Sequence, residues 1–163
     1  MTRKQEKFIK DMLNPLKFKW FVLTKLPSIW FWGVKITDLT SKRCELSIPF
    51  RWSTKNPFRS IYFAALSGAG ELASGILCMY HLSGVGSFSM LVTGFEAQFH
   101  KKADQTTRFF CEDGESLKAM LKTLQKPGQT GTLTMHVKGV TEEGVHVATF
   151  HLTWSFKKRE NPS

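Results

Sequence analysis

Cysteine is sparse in this sequence and does not pair. Cys44, Cys78 and Cys111 are an odd number at wide spacing, which excludes a disulfide scaffold and the C-x-x-C patterns of zinc ribbons and redox motifs. Free thiols in a reducing, cytoplasmic compartment are expected. Long apolar runs are also lacking: "WFVL" closes at Thr24 and Lys25, and "IWFWGV" stops at Lys35. Neither approaches the length of a spanning helix or a signal segment. The five histidines stand at no metal-ligand spacing, and His146 and His151, five apart on a strand, project from opposite faces. No metal and no cofactor is expected. A phosphate-cradling loop is missing as well, because "GAGELASG" has neither the G-x-G-x-x-G order nor a terminal Lys-Ser/Thr. Acid is the scarce charge: 13 Asp and Glu face 23 Lys and Arg, for a net charge of +10. That balance favours an anionic partner, whether nucleic acid, a membrane surface or a phosphorylated ligand, and does not choose among them.

What the sequence does hold suits one domain of 163 residues, large enough to bury a core without staples. Three regions are visible: a helical and aromatic extension over 1–33, a core over 34–157 and a basic tail over 158–163. In "TRKQEKFIKDML", Phe8, Ile9, Met12 and Leu13 recur at helical spacing, and Pro15 bounds the helix. The next stretch, "PLKFKWFVLTKLPSIWFWG", is aromatic and basic, and its prolines restrict it to a second short helix and an aromatic turn. A hydrophobic lid packed on the domain is the plain reading of this stretch. Adsorption to a membrane interface is the alternative, since Trp with Lys is what interfacial helices use.

From Val34 the pattern becomes strand-like. In "CELSIPF", Cys44, Leu46, Ile48 and Phe50 alternate with polar residues, and Pro49 marks an edge or a strand end. A loop, "RWSTKNPFRS", precedes an apolar run from Ile61 to about Leu82, the one strong interior helix. Strands follow over 87–101 and 106–111, then a short helix in "ESLKAMLKTLQK", then strands over 130–140 and 145–157. In the last, Ala148, Phe150, Leu152, Trp154 and Phe156 share one face. The economical packing is α+β, an antiparallel sheet with helices on one face.

The interior helix carries an anomaly. "SGAGELASG" places Gly68, Gly70 and Gly75 in a helix interior, where each costs about 0.5–1 kcal/mol relative to alanine. It also holds Glu71, the single charged residue between Ile61 and Tyr80. Ser67, Gly68, Ser74 and Gly75 flank Glu71 three and four residues away, and none offers a counter-charge. Small residues let a sheet approach the helix closely, and a carboxylate with little solvent has its pKa raised, as suits a general base or nucleophile. A polar residue satisfied at a subunit contact fits the same residues equally well.

The run "NPFRSIYFAALSGAGELASG" and the order of elements resemble the hotdog fold and, within it, the acyl-CoA thioesterase superfamily, in its uncharacterised branch near the phenylacetyl-CoA thioesterase type. The resemblance spans roughly 13–156. It implies a curved antiparallel sheet of about five or six strands wrapped around a long central helix. Members carry an Asn in the loop before that helix, often a Gly and a His entering it, and an Asp or Glu about nine residues after the His. The matching positions are Asn56, Tyr62 where His is common, and Glu71; Arg59 stands near the usual glycine. The resemblance implies thioester hydrolysis, with Glu71 activating water or attacking directly and Asn56 orienting the water or thioester. Backbone N–H groups around Tyr62, Phe63 and Ala64 would polarise the carbonyl. Ser67 or Ser74 is expected to hydrogen-bond the carboxylate. Ala65, Gly68, Ala69 and Gly75 would leave a slot for the acyl chain, capped by Trp30, Phe31 and Trp32. Candidates for coenzyme A phosphates are Lys101, Lys102, Arg108, Lys157, Lys158 and Arg159. The implied assembly is a homodimer, or a tetramer built from it, with substrate an acyl-CoA or acyl-carrier thioester. A noncatalytic acyl-chain binder on the same fold is the first rival. A basic nucleic-acid-binding domain is the second, though no recognition helix or aromatic RNA-binding strand motif supports it.

Overall fold

A computed structural model describes residues 1–160; residues 161–163, the end of the expected basic tail, lie outside the described residues. Three helices open the chain. Helix α1 (Arg3–Leu13) begins at a capping box in which Thr2 and Gln5 exchange side-chain and backbone hydrogen bonds. Helix α2 (Pro15–Lys25) begins where the Asn14 side chain accepts from the backbone of Leu16 and Lys17. The expected aromatic turn is itself a helix, α3 (Pro27–Trp32). Pro15 and Pro27 do not break helices here; each sits at a first turn, where the missing N–H costs nothing.

Six strands form one antiparallel sheet: β1 (Lys35–Leu39), β2 (Cys44–Ile48), β3 (Phe88–Phe99), β4 (Thr107–Cys111), β5 (Thr130–Thr141) and β6 (His146–Lys158). Their order across the sheet is β1-β2-β4-β5-β6-β3. Pro49 falls just beyond the end of β2, as its missing donor requires. The alternation read from sequence is the burial pattern: Cys44, Leu46 and Ile48 of β2 are buried, and so are Ala148, Phe150, Leu152, Trp154 and Phe156 of β6.

Helix α4 (Phe63–Leu82) lies in the concave face and contacts β2, β4, β5 and β6. This is the hotdog arrangement. It is also the one helix among the described residues long and apolar enough in composition to cross a membrane, and here it is the core of its own domain. The helix glycines are explained by contact. A Cβ on Gly70 would stand 2.4 Å from Cδ2 of Phe150, and one on Gly68 would stand 2.8 Å from the Trp32 ring. The sheet and the lid come so close that alanine at either position would force a neighbouring ring to shift. A short helix, α5 (Gly114–Thr123), closes one end, burying Leu117 and Leu121.

Candidate active site

Helix α4 positions the acid. Glu71 is part-buried at mid-helix, and among the described residues its carboxylate has neither an ion partner nor a hydrogen bond. Burial alone pushes its pKa above the ordinary glutamate value. Gly75 and Trp154, which carry no charge, stand near it: a Cβ on Gly75 would meet Glu71 Oε1 and the Trp154 ring, each at 3.5 Å. The carboxylate is thus proton-affine and free of partners, which are the properties a general base or nucleophile needs.

Among the described residues neither Ser67 nor Ser74 hydrogen-bonds the Glu71 carboxylate. Ser74 is fully buried, accepts a hydrogen bond from the Trp154 indole at 3.0 Å and donates to the Glu71 backbone carbonyl at 2.9 Å. Its hydroxyl therefore ties the helix to β6 rather than serving the carboxylate. The signal was available in the sequence, since an inward Trp on β6 requires an acceptor for its N–H. Ser67 remains half-buried, one helical turn before Glu71 and on its face. The space expected as an acyl slot is largely taken up: Trp32 covers Gly68, Trp154 approaches Gly75, and Ala65 and Ala69 are completely buried. Of the three expected cap residues, Trp32 alone packs on α4; Trp30 and Phe31 are exposed.

The second half of the expected site forms at the N-terminal end of α4. Tyr62 is the N-cap residue and makes no side-chain cap. The first backbone donors paired at this end are Ala65 and Leu66, both to the Tyr62 carbonyl, which leaves the N–H groups of Phe63 and Ala64 without an acceptor among the described residues, at the positive end of the helix dipole. Beside them lies a cavity of about 610 Å³ bordered by Asn56, Tyr62, Phe63, Phe99, Lys101 and Lys102, among others. Phe99 was missed in the sequence because it belongs to a strand distant in the chain; it meets Phe63 edge-on at 6.4 Å. Asn56 does not point a free amide into this cavity. Its side-chain oxygen accepts from the N–H groups of Phe58 and Ser60, and its Nδ2 donates to the Ser60 hydroxyl at 3.0 Å. Asn56 thereby shapes the loop. Arg59 in the same loop has φ of 58°, the left-handed region that glycine adopts without strain. Of the other cations considered for phosphates, Arg108 pairs with Glu45 at 3.5 Å and covers Phe110, while Lys158 lies over Phe88.

The sequence profile of a domain of unknown function, DUF4442, matches residues 16–156. The chain belongs to the DUF4442 family. No curated protein matches it by sequence. Among solved structures, this DUF4442 chain is similar to a protein of unknown function from Pseudomonas aeruginosa described as a probable thioesterase, with 18% identity, 90% of this chain and 98% of that one covered, and a TM-score of 0.73. A thioesterase from Haemophilus influenzae is 12% identical over 88% of this chain and 90% of its own, with a TM-score of 0.68. A thioesterase family protein from Silicibacter pomeroyi is 17% identical over 88% and 98%, with a TM-score of 0.65. At these identities the likeness establishes the shared fold.

Proposed function

We propose that this protein hydrolyses acyl thioesters of coenzyme A or of an acyl carrier, with Glu71 as the catalytic carboxylate. The observation that carries the reading is the part-buried Glu71, unpartnered among the described residues, on the central helix of a fold shared with thioesterases. In the proposed reaction Glu71 takes a proton from water as the water oxygen bonds to the carbonyl carbon. The carbonyl oxygen gains charge and accepts from the N–H groups of Phe63 and Ala64. The C–S bond then breaks, the proton passes from Glu71 to the leaving thiolate, and a carboxylic acid and a thiol are released.

The proposed reaction is built across two protomers. Glu71 lies two helical turns beyond Ala64, roughly 10 Å along the axis at the α-helical rise. In this reading one protomer supplies the helix N-terminus and its partner supplies the acid, which removes the need to span that separation within one chain. The surface for such a homodimer is β3, a sheet-edge strand of 12 residues whose outer backbone row has no partner among the described residues. Phe95 and Phe99 of this strand, and Phe63 beside it, are about half exposed. Lys101 and Lys102 at the adjoining cavity suit the phosphates of coenzyme A.

A second reading, a noncatalytic acyl binder, is favoured by one observation: Asn56 spends its amide within its own loop and Tyr62 is no base, so Glu71 has no activating companion. A panel of short, aromatic and long acyl-CoAs separates the two. Turnover of one class that falls at least about a hundred-fold in Glu71→Gln supports the hydrolase. Tight acyl-CoA binding with no turnover of any member supports the binder.

A further inference from the structure

Helix α2 is apolar on two opposite faces, and its own domain covers only one. Phe18 and Val22 are buried against the core, while Leu16, Trp20 and Leu23 form a stripe at helical spacing on the other side. Leu16 is 78% exposed and Trp20 69% exposed. Single exposed hydrophobics need no explanation, but a contiguous set does. This set continues past the helix: Trp30 and Phe31 of α3 are about half exposed, and Trp52, 75% exposed, meets Phe31 edge-on at 6.0 Å. Leu13, Pro15 and Lys19 of the first two helices border the same 890 Å³ cavity as Trp30, Phe31 and Trp52. The stripe side chains themselves do not line this cavity; Lys19, next to Trp20 in the chain, does, so the stripe and the aromatic ridge flank the cavity from either side.

The charge of this surface names its occupant. Residues 3–35, α1 included, hold eight Lys and Arg against Glu6 and Asp11, and four of these cations, Lys17, Lys19, Lys25 and Lys35, fall on α2 or at the start of β1. Lys17 pairs with Asp11 at 2.5 Å. Lys19, Lys25, Lys35 and Arg51 pair with no acid among the described residues. Arg51 is held at the ridge through hydrogen bonds to the Ser53 hydroxyl and the Phe31 carbonyl. A second copy of this chain seated on the surface would set these cations against themselves, because a two-fold interface apposes a patch to its own image. A surface that is negatively charged and accepts Leu and Trp side chains has neither problem.

The geometry points to docking of α2, α3 and the Trp52 loop on an anionic lipid bilayer, with Leu16, Trp20 and Trp52 entering the interface and the lysines contacting headgroup phosphates. The test is co-sedimentation of the full chain with vesicles of phosphatidylcholine alone and with added phosphatidylglycerol, at low and high salt. Binding to the anionic vesicles is expected, reduced by salt and weak on the neutral ones. Leu16→Glu and Trp20→Glu are each expected to weaken it about ten-fold or more. Lys19→Gln and Lys25→Gln are expected to weaken it about five-fold each. All four positions are exposed, so circular dichroism should report unchanged folding. No binding to anionic vesicles, or unaltered binding by both glutamate variants, overturns the proposal. So does sedimentation velocity in which either variant shrinks the oligomer, because a second copy then covers the stripe.

Discussion

Alanine at Gly70 and at Gly75 is the same chemical change on the same helix, and the structure gives the two opposite signs. Each replacement gains about 0.5–1 kcal/mol of helix propensity. At Gly75 the new Cβ meets Trp154 and Glu71 Oε1 at 3.5 Å, ordinary contact, so most of the gain is kept. At Gly70 it would stand 2.4 Å and 2.7 Å from two carbons of Phe150. That ring cannot step aside: it is fully buried, stacked between Phe95 at 5.6 Å and Phe109 at 5.7 Å. Overpacking of this kind costs about 1–3 kcal/mol, which exceeds the propensity gain. Gly70→Ala should therefore lose about 1–2 kcal/mol and Gly75→Ala should gain a few tenths to about 1 kcal/mol. Urea unfolding followed by circular dichroism reads both as shifts of midpoint at unchanged slope. A Gly70→Ala protein as stable as the parent would refute the claim that sheet contact is what demands glycine there. Activity provides an independent readout, because the Gly75→Ala methyl lies against Glu71. Loss of thioester turnover alongside a raised midpoint is the expected outcome.

Burial raises the pKa of Glu71 in the folded state, so the folded protein binds this proton more tightly than the unfolded chain does. Stability should accordingly fall as pH rises from the ordinary glutamate value of 4.5 through the raised one, and Glu71→Gln should abolish that component; parallel pH–stability curves for the two proteins would contradict the burial argument. Phe63→Lys and Phe99→Lys place charge on the β3 face and should yield monomers by sedimentation velocity, with loss of turnover because the composite site is separated; active monomers would rule out the two-protomer arrangement. Cys44, Cys78 and Cys111 are buried and burial pushes their thiols up, that of Cys111 to about 12. None should react with a thiol reagent at neutral pH until denaturant is added; a fast-reacting native thiol would show that the core opens. Arg59→Gly relieves a left-handed backbone and should stabilise by about 1 kcal/mol, read as a raised midpoint.

Much of the fold was legible because strand and helix periods leave separate marks. The alternation in Cys44–Ile48 and in β6, and the predominantly apolar character of α4, each had one economical reading, and each is the buried face observed. Glu71 stood out for a related reason: a lone acid among small apolar residues has few places to be. The aromatic stretch was less legible because proline marks a helix start as readily as a stop. Only the position of Pro27 relative to its neighbours, set by α3 packing its Ile29 and Trp32 toward Gly68, decides between them.

The sequence by itself determined which residues are core, where the single interior acid falls and how the positive charge is distributed, since these follow from residue type and local period. The tertiary structure alone decided which partners those residues meet. It gave Ser74 to Trp154, filled the space over Gly68 with Trp32, turned the Asn56 amide into its own loop and left one face of α2 bare. Each of those outcomes depends on contacts between segments far apart in the chain, and local pattern carries no record of which distant side chain will occupy a given space.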